Sequence, residues 1–316
     1  MNLISTVVTR RTDEAVGIVG LDFREASGAP LPAFTAGSHI DVHVRPYSLC
    51  FDPVETDRYS IAVLREPLSR GGSAAVHELL HVGAAVRVSA PKNNFPLAAK
   101  RPAILFAGGI GVTPLLSMAW HLARERTPFT LHYCARSKDR AAFQASLASG
   151  PLAAGVRFHF GDGEPSQKLQ LGQVLAEAGQ ECHLYVCGPP GFIDHVLDGA
   201  RAAGWTQERL HVEYFSNAAL VPKPAQGDRP FAVRIASTGQ TLEIPSGEPV
   251  TSILARNGIE VPLACEQGIC GTCVTRVLEG EPDHRDMYFT EEERARNDQF
   301  TPCCSRARGP LLVLDL

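Results

Sequence analysis

The chain has 316 residues, enough for two domains of ordinary size or three small ones. Hydrophobic residues make up 44% and charged residues 20%, a folded globular composition, and a net charge of −4 gives no electrostatic case for nucleic acid or an anionic membrane as partner. The N-terminus puts its short apolar stretch before Arg10 and Arg11, the reverse of a secretory signal, and Gly108, Gly109, Gly111 and Pro114 interrupt the apolar window Ile104–Ala123, so no membrane span is expected.

In chain order, the first hundred residues read as all-β. Short apolar runs at Ala15–Leu21, His39–Val44, Tyr59–Leu64 and Ala85–Ser89, separated by turn residues, suit a small antiparallel barrel. Pro91–Pro102 carries three prolines and reads as a connector. The pattern then changes to strand and helix in alternation. Strands are expected at Ala103–Ala107, Phe129–Cys134, Val156–Phe160 and His183–Cys187, and helices at Leu115–Arg126, Ala141–Ala148 and Phe192–Ala203. That order implies a parallel α/β sheet. Asn217–Pro230, with three prolines, is a linker candidate. Beyond it come a hairpin of Phe231–Ala236 with Gln240–Pro245, a helix Val250–Asn257 closed by Gly258, and a last strand Leu311–Leu314.

The nine cysteines form no disulfide framework on this reading, because their number is odd and no leader precedes them. A reduced, cytoplasmic protein is expected instead. Five of the nine lie at or after Cys265. Cys265, Cys270 and Cys273 stand in a C-x4-C-x2-C arrangement, with Cys303 after 29 further residues, the plant-type spacing for a [2Fe–2S] cluster. Gly268 and Gly271 let the loop backbone come close to such a cluster. Structural zinc is the alternative, but zinc sites usually carry two C-x2-C pairs and here there is one. Cys304 follows Cys303 directly, and on an extended chain neighbours point opposite ways, so one of the two is expected to ligate and the other not.

Ile104–Pro114 runs from strand through Gly108, Gly109 and Gly111 into a helix. Thr113 suits the N-cap and Pro114 the first helical position, and a helix N-terminus there would bind pyrophosphate. A second turn, Cys187-Gly188-Pro189-Pro190-Gly191, also follows a strand. In an open α/β sheet both turns would face one ligand crevice. His77-Glu-Leu-Leu-His81 matches the zinc-peptidase pattern H-E-x-x-H, but no third ligand follows, and an amphipathic segment explains it as well.

Arg45-Pro-Tyr47-Ser48-Leu49 and Arg70-Gly71-Gly72-Ser73, taken with the two glycine turns and the cysteine series, complete a resemblance. The chain resembles the phthalate dioxygenase reductase family, the class IA reductases of Rieske-type oxygenases, and within it the vanillate O-demethylase reductases. The likeness spans nearly the whole sequence. It implies an antiparallel FMN-binding β-barrel (1–100), a parallel α/β NAD-binding domain (101–222) and a β-grasp plant-type ferredoxin domain (223–316). It also implies a reductase that takes hydride from NADH onto FMN and passes single electrons through a [2Fe–2S] cluster to a Rieske-type terminal oxygenase, the protein itself acting as a monomer.

Carried over residue by residue, the resemblance implies that Arg45, Tyr47, Ser48, Ala62 and Val63 hold the flavin and that Gly71, Gly72 and Ser73 cradle its phosphate. It places NADH on Gly109, Gly111, Thr113, Pro114, Arg136, Cys187, Gly188 and Pro189. Ser48, Cys187 and Phe215 would line the site of hydride transfer, and Cys265, Cys270, Cys273 and Cys303 would hold the cluster. Arg136, Lys138 and Arg140 add positive charge after the second α/β strand, a feature that accommodates a 2′-phosphate, so NADH preference is the expectation they put under strain.

Overall fold

A computed structural model gives the fold and describes residues 3–42, 45–66, 71–179, 181–215, 228–263 and 265–316. The linker candidate 217–230 and the expected boundary at 222–223 fall mostly outside the described residues, as does Arg70. The chain divides into two compact units, Met1–Phe215 and Ser216–Leu316.

The first unit opens with a six-stranded antiparallel sheet. Its strands are β1 (Leu3–Ala15), β2 (Ile18–Glu25), β3 (His39–Val42), β4 (Arg45–Ser48), β5 (Tyr59–Leu64) and β6 (Ala85–Ser89), in the order β4-β3-β6-β1-β2-β5. Just past β4 the sheet curls back on itself, where Cys50 N–H donates to the Ser60 carbonyl of β5 at 3.0 Å. Val8, Val19, Leu21, Phe23, Ile40, Val42, Tyr59, Ile61 and Val88 fill the interior. The expected strand Ala15–Leu21 is corrected: Gly17, at φ 73°, turns the chain there, and the two arms of the hairpin are β1 and β2. Apolar content across the tight turn hid it from the pattern. The helix α1 (Gly72–Leu79) follows β5.

The second sheet of this unit is parallel. β7 (Ala103–Gly108), β8 (Phe129–Ala135), β9 (Val156–Phe160), β10 (His183–Cys187) and β11 (Leu210–Glu213) stand in the order β11-β10-β7-β8-β9. Every residue of β7 is buried, because helices cover both faces. Leu105, Leu131 and Tyr133 pack under α2 (Val112–Arg124) and α3 (Gln144–Ser149). Ile104, Phe106, Leu184 and Val186 pack under α4 (Leu171–Glu177) and α5 (Pro190–Ala202). The chain therefore winds outward in one direction from β7 and returns to wind the other way from β10. The crevice lies where the carboxyl ends of β7 and β10 adjoin.

The second unit is a β-grasp. β12 (Phe231–Ile235), β13 (Thr241–Ile244), β14 (Thr275–Glu279), β16 (Gln299–Phe300) and β18 (Leu311–Leu314) form a sheet in the order β13-β12-β18-β14-β16. A short ladder of β15 (Pro282–Asp283) with β17 (Arg306–Ala307) stands apart from it, and α6 (Val250–Arg256) and α7 (Glu291–Ala295) complete the unit. Val250, Ile253 and Leu254 of α6 pack on Phe231, Val233, Ile244 and Leu312. Arg306, almost fully buried, donates to the carbonyls of Arg229, Pro245 and Glu248 and lies over the Phe231 ring, tying two loops to one side chain. Among the described residues no helix is long and apolar enough to cross a membrane.

Candidate functional site

The two glycine turns meet backbone to backbone. A Cβ on Gly111 would sit 2.3 Å from the Cys187 carbonyl oxygen, and one on Gly188 would sit 2.9 Å from Gly108 Cα. Only hydrogen fits at these positions, so glycine there is set by the packing of β7 against β10. Gly109, at φ 55°, has open space where its Cβ would be and leaves the turn accessible to a ligand. The expected cap is corrected. A single 3₁₀ turn, Gly109–Gly111, leads into α2, which begins at Val112, so Thr113 and Pro114 are its second and third residues. The Thr113 hydroxyl donates back to the Ile110 carbonyl at 3.1 Å. The glycine turn and the start of α2 still lie at the crevice end of the sheet, the end at which an open α/β sheet receives a pyrophosphate.

On the barrel side, Arg45, Tyr47 and Ser48 lie on β4 and Ala62 and Val63 on β5. Burial pushes the Tyr47 phenol up to about 12. Gly71, at φ 98°, precedes α1, and a Cβ on Gly72 would meet Arg45 Cγ at 2.8 Å. The arginine stem is thus laid along a helix N-terminus, a cation beside the positive end of a helix, which suits a phosphate. Ser73 turns its hydroxyl to Glu66 N–H at 3.1 Å. The Val63 carbonyl is taken by His77 Nε2 at 2.9 Å. Ala62 packs with Ile110 of the nucleotide turn and with Ala142, so barrel and parallel sheet meet at this point.

One residue at that junction was not anticipated from the sequence. Glu213 ends β11 in register with Cys187 on β10. Its carboxyl is buried although the residue as a whole is half-buried, the Ser48 hydroxyl lies beside it, and Oε2 has no partner among the described residues. Burial raises its carboxyl to about 8, so it is neutral at pH 7. Burial, then the neighbouring Glu213, push the Cys187 thiol well above its ordinary value. Ser48, Glu213 and Cys187 therefore come together, from three strands. The segment His211–Phe215 carries the signal as a lone carboxylate at the end of an apolar strand, two residues before its aromatic. Phe215 itself is 40% exposed at the end of the unit. Arg136 is exposed beyond β8, its carbonyl accepting from Asp162 N–H at 3.0 Å.

The H-E-x-x-H segment holds no metal site. His77 bonds Val63, Glu78 pairs with Arg65 at 2.6 Å, and His81 lies past the end of α1 with Nε2 on the Glu78 carbonyl. Arg11 fastens this segment through the carbonyls of His77 and Leu80.

In the second unit the cluster loop is shaped by two left-handed glycines. Gly268 (φ 70°) and Gly271 (φ 68°) press against Asp286 and the Tyr288 ring. Asp286, wholly buried, accepts from the backbone N–H groups of Tyr288 and Phe289 and so fixes the strap beneath the loop. The four thiols lie as two neighbouring pairs, Cys265 beside Cys270 and Cys273 packed with Cys303. The Cys265 thiol holds Cys270 down at about 5, and Cys265 is raised in turn. Two pairs of sulfurs fit two irons, each taking two thiolates. Among the described residues no three His, Cys, Asp or Glu side chains gather on one point as for a single metal ion. The expectation that Cys303 and Cys304 point apart is overturned. The chain is not extended here: Thr301 O accepts from both Cys304 N–H and Ser305 N–H, and this turn packs both side chains beside Cys273.

Comparison with known proteins agrees with both sites. The model of the 2Fe-2S iron-sulfur cluster binding domain matches residues 233–308, and that of the oxidoreductase NAD-binding domain matches residues 105–198. A vanillate O-demethylase oxidoreductase from a Pseudomonas species is 51% identical over 99% of this chain and 100% of its own length. The phthalate 4,5-dioxygenase oxygenase reductase subunit of Pseudomonas putida is 39% identical over 98% of this chain and 95% of its own. Among solved structures, phthalate dioxygenase reductase, described as a modular structure for electron transfer from pyridine nucleotides to [2Fe-2S], superposes with a TM-score of 0.76 at 36% identity, covering 100% of this chain and 98% of that one. The cofactors are accordingly NADH, FMN and a [2Fe–2S] cluster. With thiol pairs, nucleotide turns and a full-length likeness all in accord, the chain belongs to the phthalate dioxygenase reductase family, whose members pass electrons from NADH through flavin and a [2Fe–2S] cluster to oxygenases and demethylases.

Proposed function

We propose that this chain serves a Rieske-type terminal oxygenase acting on a small methoxylated aromatic acid, with residues 1–100 as flavin barrel, 101–222 as nucleotide domain and 223–316 as cluster domain. The likeness to vanillate O-demethylase oxidoreductase, end to end at 51% identity, supports this choice of partner. Nine free thiols suit a reducing cytoplasm. When bound, NADH supplies a hydride, the flavin accepts it and divides the electron pair, and the cluster relays single electrons.

The protein's work in this reading is to bind, orient and exclude water. The Gly109–Gly111 turn and the first turn of α2 receive the NADH pyrophosphate, and Arg136 flanks its adenosine end. Gly188 and Pro189 guide the nicotinamide over Cys187, whose protonated, uncharged thiol gives it a dry seat. Arg45, Gly71, Gly72 and Ser73 hold the flavin phosphate, Tyr47, Ala62 and Val63 flank the ring, and Phe215 covers the position that the nicotinamide enters. Ser48 presents its hydroxyl at the reacting edge. Glu213 holds a proton behind that hydroxyl, close to where positive charge appears as hydride departs. Cys265, Cys270, Cys273 and Cys303 supply the four thiolates.

The observation that carries the reading is the convergence of Ser48, Glu213 and Cys187 where the barrel meets the switch point of the parallel sheet. The test is reconstitution with the oxygenase component of a vanillate O-demethylase. Methoxyl groups removed should match NADH oxidised about one to one. NADH consumption without demethylation would overturn the partner assignment, and better coupling to a phthalate dioxygenase oxygenase would move it to the ring-hydroxylating class.

A further inference from the structure

Cys304 is the one cysteine beside the cluster loop that the four-thiolate set does not use. It is 3% exposed, and it packs in one cluster with Cys273 and Cys303. The turn Thr301–Ser305 aims it at the same place as its neighbour. Thr301 O accepts from Cys304 N–H at 3.2 Å and from Ser305 N–H at 2.9 Å, and the Cys303 and Cys304 side chains pack together beside Cys273. Its sulfur also lies under the loop itself, since a Cβ on Gly268 would fall 2.4 Å from Cys304 Sγ. Gly268 stands midway between two of the ligands, Cys265 and Cys270. Thr301 Oγ1, 3.3 Å away, and Ser305 Oγ, 3.8 Å away, give the sulfur polar company that a purely space-filling thiol would not need.

We propose that Cys304 is a reserve ligand for the cluster, able to take the place of Cys303. The exchange replaces one iron–sulfur bond with another: the bond to Cys303 breaks, the bond to Cys304 forms, the proton of the Cys304 thiol passes to the released Cys303 thiolate, and no electron moves. The sulfur has little distance to cover, because both thiols sit on one turn beside Cys273. The turn is held from outside by Thr251 N–H on the Pro302 carbonyl, and Ser305 Oγ accepts from Arg285 N–H, so a swap need not disturb the β-grasp core.

The test uses the full-length protein in four forms: Cys303→Ala, which removes the ligand without offering another donor, Cys303→Ser, Cys304→Val, and the Cys303→Ala/Cys304→Val pair. Each is reconstituted with iron and sulfide and compared at equal flavin content. Iron and acid-labile sulfide are measured, with visible circular dichroism and electron paramagnetic resonance of the dithionite-reduced protein. Cys304→Val should keep the full cluster. Cys303→Ala should keep more than half of it with altered dichroism, while the double variant should lose it. In Cys303→Ser the resonance signature should show sulfur-only ligation, as the Cys304 thiolate outcompetes the introduced hydroxyl. The proposal is overturned if Cys303→Ala loses the cluster as fully as the double variant, or if the Cys303→Ser cluster carries an oxygen ligand. Neither result would touch the flavin or NADH sites, so the function proposed above stands or falls separately.

Discussion

In the function proposed above, the two units hold their redox groups by different means. Around the cluster loop, side chains do the holding: four sulfurs at fixed spacing, with backbone shaped to bring them together. At the nucleotide and flavin turns, backbone N–H groups do the holding, and the decisive side chains are those that are missing, at Gly108, Gly111 and Gly188. A thiolate set is written in the sequence letter by letter. A backbone cradle is written only as permission for close approach, and its position becomes definite when β10 settles beside β7.

The comparison breaks most completely at the cluster. Gly268→Ala puts a Cβ 2.9 Å from Asp286 Cα and 2.4 Å from Cys304 Sγ at a left-handed φ of 70°. A non-glycine residue forced there costs about 1–3 kcal/mol before any clash is counted. The expected result is loss of most of the iron with flavin content unchanged, measured by metal analysis and flavin absorbance on the same sample. Full iron retention would mean that the loop is softer than its packing against Asp286 implies.

Separating the units is the next largest effect. A fragment ending at residue 222 keeps both cores of the first unit, including Tyr59 and Phe23 in the barrel and Leu105 and Val186 in the parallel sheet. It should bind FMN and oxidise NADH with ferricyanide at a rate close to that of the whole protein, yet drive the oxygenase at a background rate. Measured at matched flavin content, equal oxygenase turnover by fragment and full chain would show that electrons leave by another route.

Within the first unit, Glu213 is the side chain on which the backbone-built site depends. Glu213→Ala removes the carboxyl beside the Ser48 hydroxyl and should slow flavin reduction by about 10–100-fold in stopped-flow. Glu213→Gln keeps a hydrogen-bond acceptor and should fall between the variant and the parent. The carboxyl is raised to about 8, so it gains charge as pH rises through that value. Departure of hydride leaves positive charge on the nicotinamide, which a carboxylate offsets, so flavin reduction should quicken through pH 8 in the parent and stay flat in Glu213→Gln. The same buried charge weakens the fold: a carboxyl whose folded value exceeds its unfolded one stabilises at low pH and loses that contribution between its ordinary 4.5 and about 8.

These outcomes bear on what could be read from the sequence. The strands Tyr59–Leu64, Val156–Phe160, His183–Cys187 and Leu311–Leu314 stand at the residues their apolar runs mark, because each is a compact run with breakers on both sides. Ala15–Leu21 misled because Val16 and Gly17 make a hairpin turn inside an apolar run. Glu213 was illegible for a different reason: a single carboxylate in a strand normally faces solvent. Only its register opposite Cys187 and the approach of Ser48 from the barrel bury its carboxyl. The likeness of Cys303 and Cys304 was legible, but their orientation was not, since a turn and an extended chain are the same two letters.

Nucleotide choice sharpens the contrast by a smaller amount. Arg136, Lys138 and Arg140 are exposed, yet Asp139 sits among them, its carbonyl accepting from Val16 N–H at 2.9 Å and its carboxylate held by the Ser137 hydroxyl. A carboxylate fixed in the basic segment opposes a 2′-phosphate. NADH should exceed NADPH in kcat/KM by about tenfold or more, roughly the 1.4 kcal/mol that one repelled charge supplies. Asp139→Asn should narrow that ratio, and equal use of both nucleotides by the parent would refute the assignment.

The smallest expected effect is on acid stability, and it belongs to the first unit. Two histidine pairs bridge adjacent strands of the parallel sheet. His132 Nδ1 and His159 Nε2 are 3.0 Å apart, and His183 Nδ1 and His211 Nε2 are 2.8 Å apart, each pair stacked ring on ring. Such a contact needs one nitrogen with a proton and one without, so the second proton is resisted. Burial first, and then the partner histidine, lower His132 and His211 to about 4, with Arg157 adding to the effect on His132. Burial lowers His183 as well, where Arg101 and Arg209 oppose protonation and Glu181 favours it. In the unfolded chain these rings take up protons near their ordinary 6.5, so the unfolded state binds more protons between about 6.5 and 4, and folding weakens as pH falls through that window. Flavin release on heating should therefore move to lower temperature between pH 7 and pH 5, by about 2–4 °C for each kcal/mol lost in a unit of this size. The double variant His132→Gln/His211→Gln carries amides that do not titrate, and its melting temperature should vary less over the same range. An unchanged slope in that variant would place the acid sensitivity elsewhere in the barrel or sheet and leave the histidine pairs as packing alone.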